Sequence, residues 1–381
     1  MQRIDRLGVL LSFVGTLALT LLPLIVFKSN RIVPGEPRAL LELLPVAALA
    51  LYATLAVAAA VAVFVRSPRI RLLAALIGIA ALAVAVAAAA DILTPTGNRV
   101  VRVAPGAGCW IVLIALGLLA TDALTRLRPG PLLRVATLAV FLAATLAALG
   151  SGLFDDLSIM REYAVNATRF AHEARRHLLL ALGSLAAAVV IALPLGVFCH
   201  RQPRLRNSVL GALNVVQTIP SIALFGILMA PLAAMALAFP AVAALGVSGI
   251  GAAPAAIALF LYSLLPIVGN TTVGLGRVSP AAVDAARGMG LTAGQILRQI
   301  ELPLALPTIL TGIRIVLVQN IGMVTIAALI GGGGLGAFVF QGIGQTAIDL
   351  VLLGAIPTVV LAFSASVVLD AATDLTRRVP R

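Results

Sequence analysis

Long apolar runs separated by short polar stretches set the pattern of this chain. A helix needs about 20 apolar residues to cross roughly 30 Å of hydrocarbon. By that measure ten spans are expected: residues 7–27, 43–65, 72–90, 107–121 and 133–150, then 178–199, 208–230, 252–270, 303–328 and 350–369. In lipid every backbone N–H and C=O must be satisfied within protein, so runs of this length and composition read as helices. The fold class expected is all-α integral membrane, with about ten transmembrane helices. The stretch 231–247 is apolar too, but Pro231, Pro240 and Gly246 interrupt it, so a short outward-facing or re-entrant element is expected there.

Arg3 and Arg6 precede the first run, which is longer than the apolar region of a secretory signal and ends in Phe27, Lys28 and Ser29 instead of a small-x-small site. It reads as an uncleaved first span. Between Ser158 and His177, Arg169, His172, Glu173 and Arg176 alternate with Tyr163, Phe170 and Ala174 as they would on an interfacial or solvated helix, with His172 and His177 at the surface.

Composition agrees with a lipid environment: 61% of the 381 residues are hydrophobic and 11% charged, against about 25% charged in soluble domains. The net charge of +13 does not indicate nucleic acid, because the arginines fall in short clusters between apolar runs instead of on one soluble face. They report orientation, since Lys and Arg concentrate in cytoplasmic loops. With both termini cytoplasmic, the inner loops hold Arg3, Arg6, Arg66, Arg69, Arg71, Arg126, Arg128, Arg134, Arg201, Arg204, Arg206, Arg277, Arg287, Arg298, Arg377, Arg378 and Arg381, with Arg314 at an inner span end. Lys28, Arg31, Arg38, Arg99, Arg102, Arg161, Arg169, Arg175 and Arg176 lie outside. Cys109 and Cys199 then fall at opposite faces and should not pair, and no metal site is expected.

A shift in composition divides the chain. Residues 1–150 form an Ala/Leu-rich accessory region of five spans, 151–177 an extracytoplasmic segment, and 178–381 a core whose spans contain proline, glycine and polar residues. Such residues are costly in lipid unless they face a pathway or other helices. Gln217, Thr218, Pro220 and Ser221 sit mid-span, and Asn270 and Thr271 end a span that Pro266 should kink, so these positions and Tyr262 are the pathway candidates. Equally, Ser and Thr can bond their own backbone and Gln217 can join two helices.

The inner loop 277–303 reads RVSPAAVDAARGMGLTAGQILRQIELP. Ser279 and Pro280 supply an N-cap and a first-turn proline, Gly288 and Gly290 should end that helix, and a second piece, Thr292–Ile300, should run up to Pro303. Two short helices with small residues on one face make a knob that a partner can approach closely. Asp284, Ala285, Ala286, Gly290, Ile300, Leu302 and Pro303 resemble the E-A-A-x3-G-x9-I-x-L-P signature of importer-type ABC permeases, with Asp284 in place of the glutamate. The resemblance implies an importer-type permease core whose loop docks on a cytoplasmic ABC ATPase, an extracytoplasmic substrate-binding protein that delivers cargo, and a second permease subunit, identical or paralogous. The protein is then a multi-pass subunit of a bacterial-type inner membrane.

Chemistry within the chain agrees. A phosphate-binding G-x-x-x-x-G-K-[ST] loop is absent and the one lysine is Lys28, so ATP is expected to be used by the partner alone, with no catalytic residue and no cofactor here. The stretches NVVQTIPSIALFGIL (214–228), ALFLYSLLPIVGNTTVGL (258–275) and TIAALIGGGGLGAFVFQGI (325–343) resemble the osmoprotectant branch, which carries glycine betaine, choline, carnitine and related quaternary amines. The glycines at 331–334 and Gly336 read as a loop between spans. A quaternary ammonium calls for an aromatic cage, and aromatics are 4% of the chain, so selection of the cargo falls to the binding protein. The alternatives are a permease for another small solute such as an amino acid, or an ion-driven carrier, which would need intramembrane carboxylates and related halves.

Overall fold

A computed structural model describes residues 5–377 apart from 32, 96 and 99. Arg3, Arg99, Arg378 and Arg381, counted above for orientation, lie outside the described residues. Among the described residues the chain is all-α but for one small sheet, and it divides into two compact units: residues 1–133 with 139–165, and 134–138 with 166–381. Among the described residues nine helices are long and apolar enough to cross a membrane, and a tenth apolar helix is shorter.

In the N-terminal unit, α1 (Arg6–Leu21) starts at Asp5, whose carboxylate accepts the Gly8 N–H at 2.8 Å. The expected first span, 7–27, is too long: helix stops at Leu21, since Leu22 turns extended ahead of Pro23. The β-branched pair Ile25 and Val26 then enters β1 (Ile25–Lys28), the middle strand of an antiparallel sheet with β2 (Glu36–Arg38) and β3 (Arg102–Pro105). Ile25 pairs with both Arg38 and Pro105 and is fully buried. After the single turn α2 (Leu40–Leu43) come α3 (Pro45–Phe64), α4 (Pro68–Leu93), α5 (Ala107–Leu127) and α6 (Pro131–Gly150). Proline opens α3, α4 and α6, where its missing N–H costs nothing. Small residues set the packing distance: a Cβ on Gly8 would stand 2.2 Å from the Ala62 carbonyl, so α1 and α3 touch backbone to backbone.

The 44-residue α7 (Ser158–Arg201) begins in the first unit and from Asn166 onward belongs to the second. The Ser158–His177 stretch is thus the leading half of a span helix instead of a separate interfacial one, and His177, expected at the surface, is fully buried. The expected span 208–230 is two helices, α8 (Pro203–Thr218) and α9 (Ser221–Ala238), because Ile219 is extended before Pro220. The helix runs on through Pro231 to Ala238, and the rest of 231–247 holds only α10 (Pro240–Ala244), too short to span. Next come α11 (Ala252–Gly276), α12 (Pro280–Gly288) and α13 (Ala293–Ile296).

Pro303 does not end the second loop helix as expected. Residues Leu297–Glu301 widen to a π-helix, Leu302 N–H bonds the Leu297 carbonyl five residues back, and the chain runs into α14 (Leu302–Ala327) without a break. The wider register absorbs the proline ring and its missing donor. A 3-10 turn (Ala328–Ile330), the glycine loop, α15 (Gly336–Gly344) and α16 (Ile348–Arg377) complete the unit. Close approach again rests on glycine, with a Cβ on Gly336 falling 2.0 Å from the Thr325 carbonyl.

Candidate functional site

The loop 277–303 forms a projecting knob. Thr292 and Gln295 close a capping box, Thr292 N–H donating to Gln295 Oε1 at 2.8 Å, so the second piece starts where T-x-x-Q predicts. Gly290 adopts φ +83°, the left-handed turn between the two pieces. Asp284 and Ala285 are exposed, whereas Ala286 points inward at 1% exposure. Asp284 pairs with Arg287 at 3.0 Å, one turn on, and both side chains remain largely in the open. Met289, 71% exposed at the tip, adds an adaptable apolar contact. Ile300 and Leu302 are half-buried and Pro303 is exposed, on the helix that supports the knob.

Glu301 anchors that support. It sits in the π-turn, 5% exposed, and accepts from Arg201 Nη2 at 2.6 Å, tying the knob's base to the last turn of α7. Sequence reasoning passed over it. The available signal was a carboxylate placed directly before Leu-Pro at the mouth of an apolar run, where an unpaired charge is expensive.

A second cluster lies at the α8–α9 break. Pro266 has no N–H, so the Tyr262 carbonyl one turn back loses its helical donor, and Gln217 Nε2 fills the gap at 2.8 Å. The Tyr262 hydroxyl donates in turn to the Ile219 carbonyl, freed where the helix breaks. Thr218, Pro220 and half-buried Ser221 stand beside this junction, Thr218 bonding Val215 O within its own helix. Gln217, Thr218, Pro220, Ser221 and Tyr262 are therefore brought together. Asn270, two turns along α11, is separate: it lines a recess of about 480 Å³ between α8 and α11 with Arg206 and Asn214. Thr271 is fully buried against Gly196, whose Cβ would meet it at 2.5 Å, so it lies in the α7–α11 seam.

Asn320 escaped the sequence reading, and Glu173, Arg176 and His177, placed there on an interfacial or solvated helix, have a role that it did not assign. Asn320, fully buried within α14, donates from Nδ2 to Ser184 Oγ and Ser263 Oγ, each at 3.1 Å, and so joins α7, α11 and α14. Its signal was a lone amide inside an apolar run. In the N-terminal half of α7, Glu173 accepts the Gly334 N–H at 2.6 Å, Arg176 donates to the Gly331 carbonyl at 3.1 Å, and His177 Nδ1 accepts from Leu335 N–H at 3.3 Å. The glycine loop, with φ positive at Gly331, Gly333 and Gly334, is thereby clamped to α7. Among the described residues no cluster of His, Cys, Asp and Glu could hold a metal.

Residues 5–160 match the family described as the N-terminal domain of the ABC transporter permease YehY, and residues 178–378 match the binding-protein-dependent transport system inner membrane component. The osmoprotectant import permease protein OsmW of Salmonella typhimurium is 45% identical over 197 residues, covering 52% of this chain and 86% of that one. The carnitine transport permease protein OpuCD of Listeria monocytogenes is 38% identical over 208 residues, 54% and 86% of the two chains. The glycine betaine/carnitine/choline permease protein OpuCD of Bacillus subtilis is 36% identical over 208 residues, 54% and 84% of the two chains. The chain, a multi-pass membrane protein, belongs to the family of binding-protein-dependent transport system inner membrane components.

Proposed function

We propose that this chain is the membrane subunit of an ATP-driven importer of quaternary-ammonium osmoprotectants such as glycine betaine, choline or carnitine, and that it performs no catalysis itself. One observation carries the reading: the motif residues Asp284, Ala285 and Gly290 stand on an exposed knob whose base continues, unbroken through a π-turn, into α14. A push on the knob by an ATPase subunit would reach the middle of the membrane along one rigid element, and Arg201–Glu301 would pass it to α7. ATP would be bound and hydrolysed by that partner. A second permease subunit would cover the nearly bare face of α8, on which no residue is buried. Thr218, Ser221, Asn270 and the Gln217–Tyr262 junction would then border the path, while Thr271 packs helices together. Both termini and the knob would be cytoplasmic, and an extracytoplasmic binding protein would deliver cargo near the glycine loop. The named cargoes of the three relatives support the substrate class.

The test is uptake of labelled glycine betaine into vesicles holding this chain with its ATPase and binding protein. Uptake that requires ATP and the binding protein is expected. Uptake driven by an ion gradient without ATP, or transport of amino acids but no quaternary amine, would overturn the reading.

A further inference from the structure

Two adjoining features of the N-terminal unit have no part in the importer mechanism. The first is an apolar groove of about 320 Å³ between α1, α3 and α5, lined by Leu11, Gly15, Leu55, Ala59, Val112 and Leu116 among others. Its aliphatic hydroxyls are spent on backbone: Thr16 bonds Ser12 O, Thr20 bonds Thr16 O and Ser12 reaches Ala59 O, so apart from Tyr52 the walls offer hydrocarbon. The second is a recess of about 830 Å³ lined by Asp5, Arg6, Val63, Arg66, Arg71 and Arg126. It continues the groove along the same three helices. Arg6 is five residues before Leu11 on α1, Val63 one turn beyond Ala59 on α3, and Arg126 two turns beyond Leu119 on α5, which at the helical rise is about 6–10 Å in each case.

The recess is left with positive charge. Arg71 and Arg126 are matched by Asp5 and Asp122 at 2.7–3.3 Å. Arg6 and Arg66 are exposed and form no ion pair among the described residues. Arg71 is 2% exposed, and its Nε has no hydrogen-bond partner, an unmet buried donor of the kind that a ligand oxygen satisfies. Surplus guanidinium at one end and a hydrocarbon-lined slot at the other match one molecule with a phosphate and an acyl chain.

We propose that the N-terminal unit binds an anionic glycerophospholipid, its phosphate in the recess of Arg6, Arg66 and Arg71 and one acyl chain in the groove between α1, α3 and α5. The site depends on the arginines for the head and on Gly15 for the width of the slot, since a Cβ there would already stand 4.0 Å from the Ala115 Cβ, at van der Waals contact, and a larger side chain would fill the slot between α1 and α5.

The full chain, purified and transferred to nanodiscs, is tested by native mass spectrometry with phosphatidylglycerol and phosphatidylethanolamine of equal chain length. One retained phosphatidylglycerol per chain is expected in preference to the zwitterionic lipid. Arg6→Gln with Arg66→Gln should lower retention by about tenfold or more, and Gly15→Leu should lower it by blocking the slot. Arg69→Gln with Arg128→Gln removes equal charge outside the recess and should change nothing. Equal loss in that control, equal retention of the two lipids, or thermal stabilisation by glycerol 3-phosphate matching that by phosphatidylglycerol would overturn the proposal. A thermal midpoint for each variant separates loss of the lipid from loss of the fold.

Discussion

The Gln217 side chain and the Tyr262 backbone are bonded at 2.8 Å, and Tyr262 answers with its hydroxyl to the carbonyl of Ile219, two residues beyond Gln217. Each bond repairs a carbonyl that a proline or a helix break has stripped of its donor, so the Pro266 turn of α11 and the break between α8 and α9 hold each other in place. Gln217→Leu and Tyr262→Phe are each expected to cost about 0.6–1.7 kcal/mol. Because both bonds fasten the same two segments, the double variant should cost less than the sum. Unfolding free energies of the four proteins check this, and strict additivity would show that the two bonds act independently.

How far proline could be read from sequence depended on what lay opposite it. Ser279–Pro280 and the Thr292–Gln295 box are local devices, and α12 and α13 begin where they predict. Pro23, Pro220, Pro231, Pro266 and Pro303 are chemically alike, yet the first two stop helices and the others are passed through. The difference lies in what surrounds each: strands to receive Ile25 and Gln217 to satisfy the carbonyl behind Pro266, both remote in sequence, and a widened turn, whose Glu301 is held by distant Arg201, before Pro303. His177, Glu301 and Asn320 were missed for the same reason. Their burial is made by Leu335 and Ile321, by Arg201, and by Ser184 with Ser263, none of which is near in sequence.

Arg201 and Glu301 form a half-buried pair, with Arg201 39% exposed and Glu301 6% by side chain. Removing only the arginine leaves a carboxylate with little water around it. Arg201→Met should therefore destabilise by about 2 kcal/mol, between the values for surface and buried pairs. Arg201→Met with Glu301→Leu should recover most of that loss, since a hydrophobic pair needs no desolvation. Thermal unfolding of both variants decides, and a double variant worse than the single one would count against the argument.

Gly336 is a steric requirement. A Cβ at this position would stand 2.0 Å from the Thr325 carbonyl, so α15 cannot stay where it packs on α14. Gly336→Ala is expected to destabilise by about 1–3 kcal/mol, while Gly344→Ala, with open space around it, should be neutral or slightly stabilising. A pair of unfolding curves measures the contrast.

Asp5 gives the N-terminal unit a pH dependence. A hydrogen bond from Arg71 is the main cause, aided by the Gly8 N–H and Arg126, and together they hold its carboxyl well below the usual aspartate range against the opposing effect of burial. A depressed value in the folded protein means the stabilisation is complete above the unfolded value of about 4 and disappears as pH falls through the folded one. The thermal midpoint of the wild type should therefore exceed that of Asp5→Asn at neutral pH, with the difference shrinking only once pH drops below about 4. A gap that stays constant into strong acid would mean that the carboxylate charge is not what stabilises the unit.

The motif alanines Ala285 and Ala286 face different ways, and that separates docking from folding. Asp284 and Ala285 lie on the open face, where the Asp284–Arg287 pair is too well solvated to add measurable stability. Asp284→Arg with Ala285→Glu reverses the charge at 284 and adds bulk at both positions where an ATPase would sit, and within the chain it disturbs only the solvated Asp284–Arg287 pair. Its thermal midpoint should match the wild type, while ATP-dependent uptake is lost and the ATPase no longer copurifies. Ala286→Glu forces a carboxylate into a 1% exposed site and should lower the midpoint as well. Full uptake by the outward-facing double variant would remove the knob from the coupling route, since a reversed charge and added bulk on its open face would disturb any partner docked there.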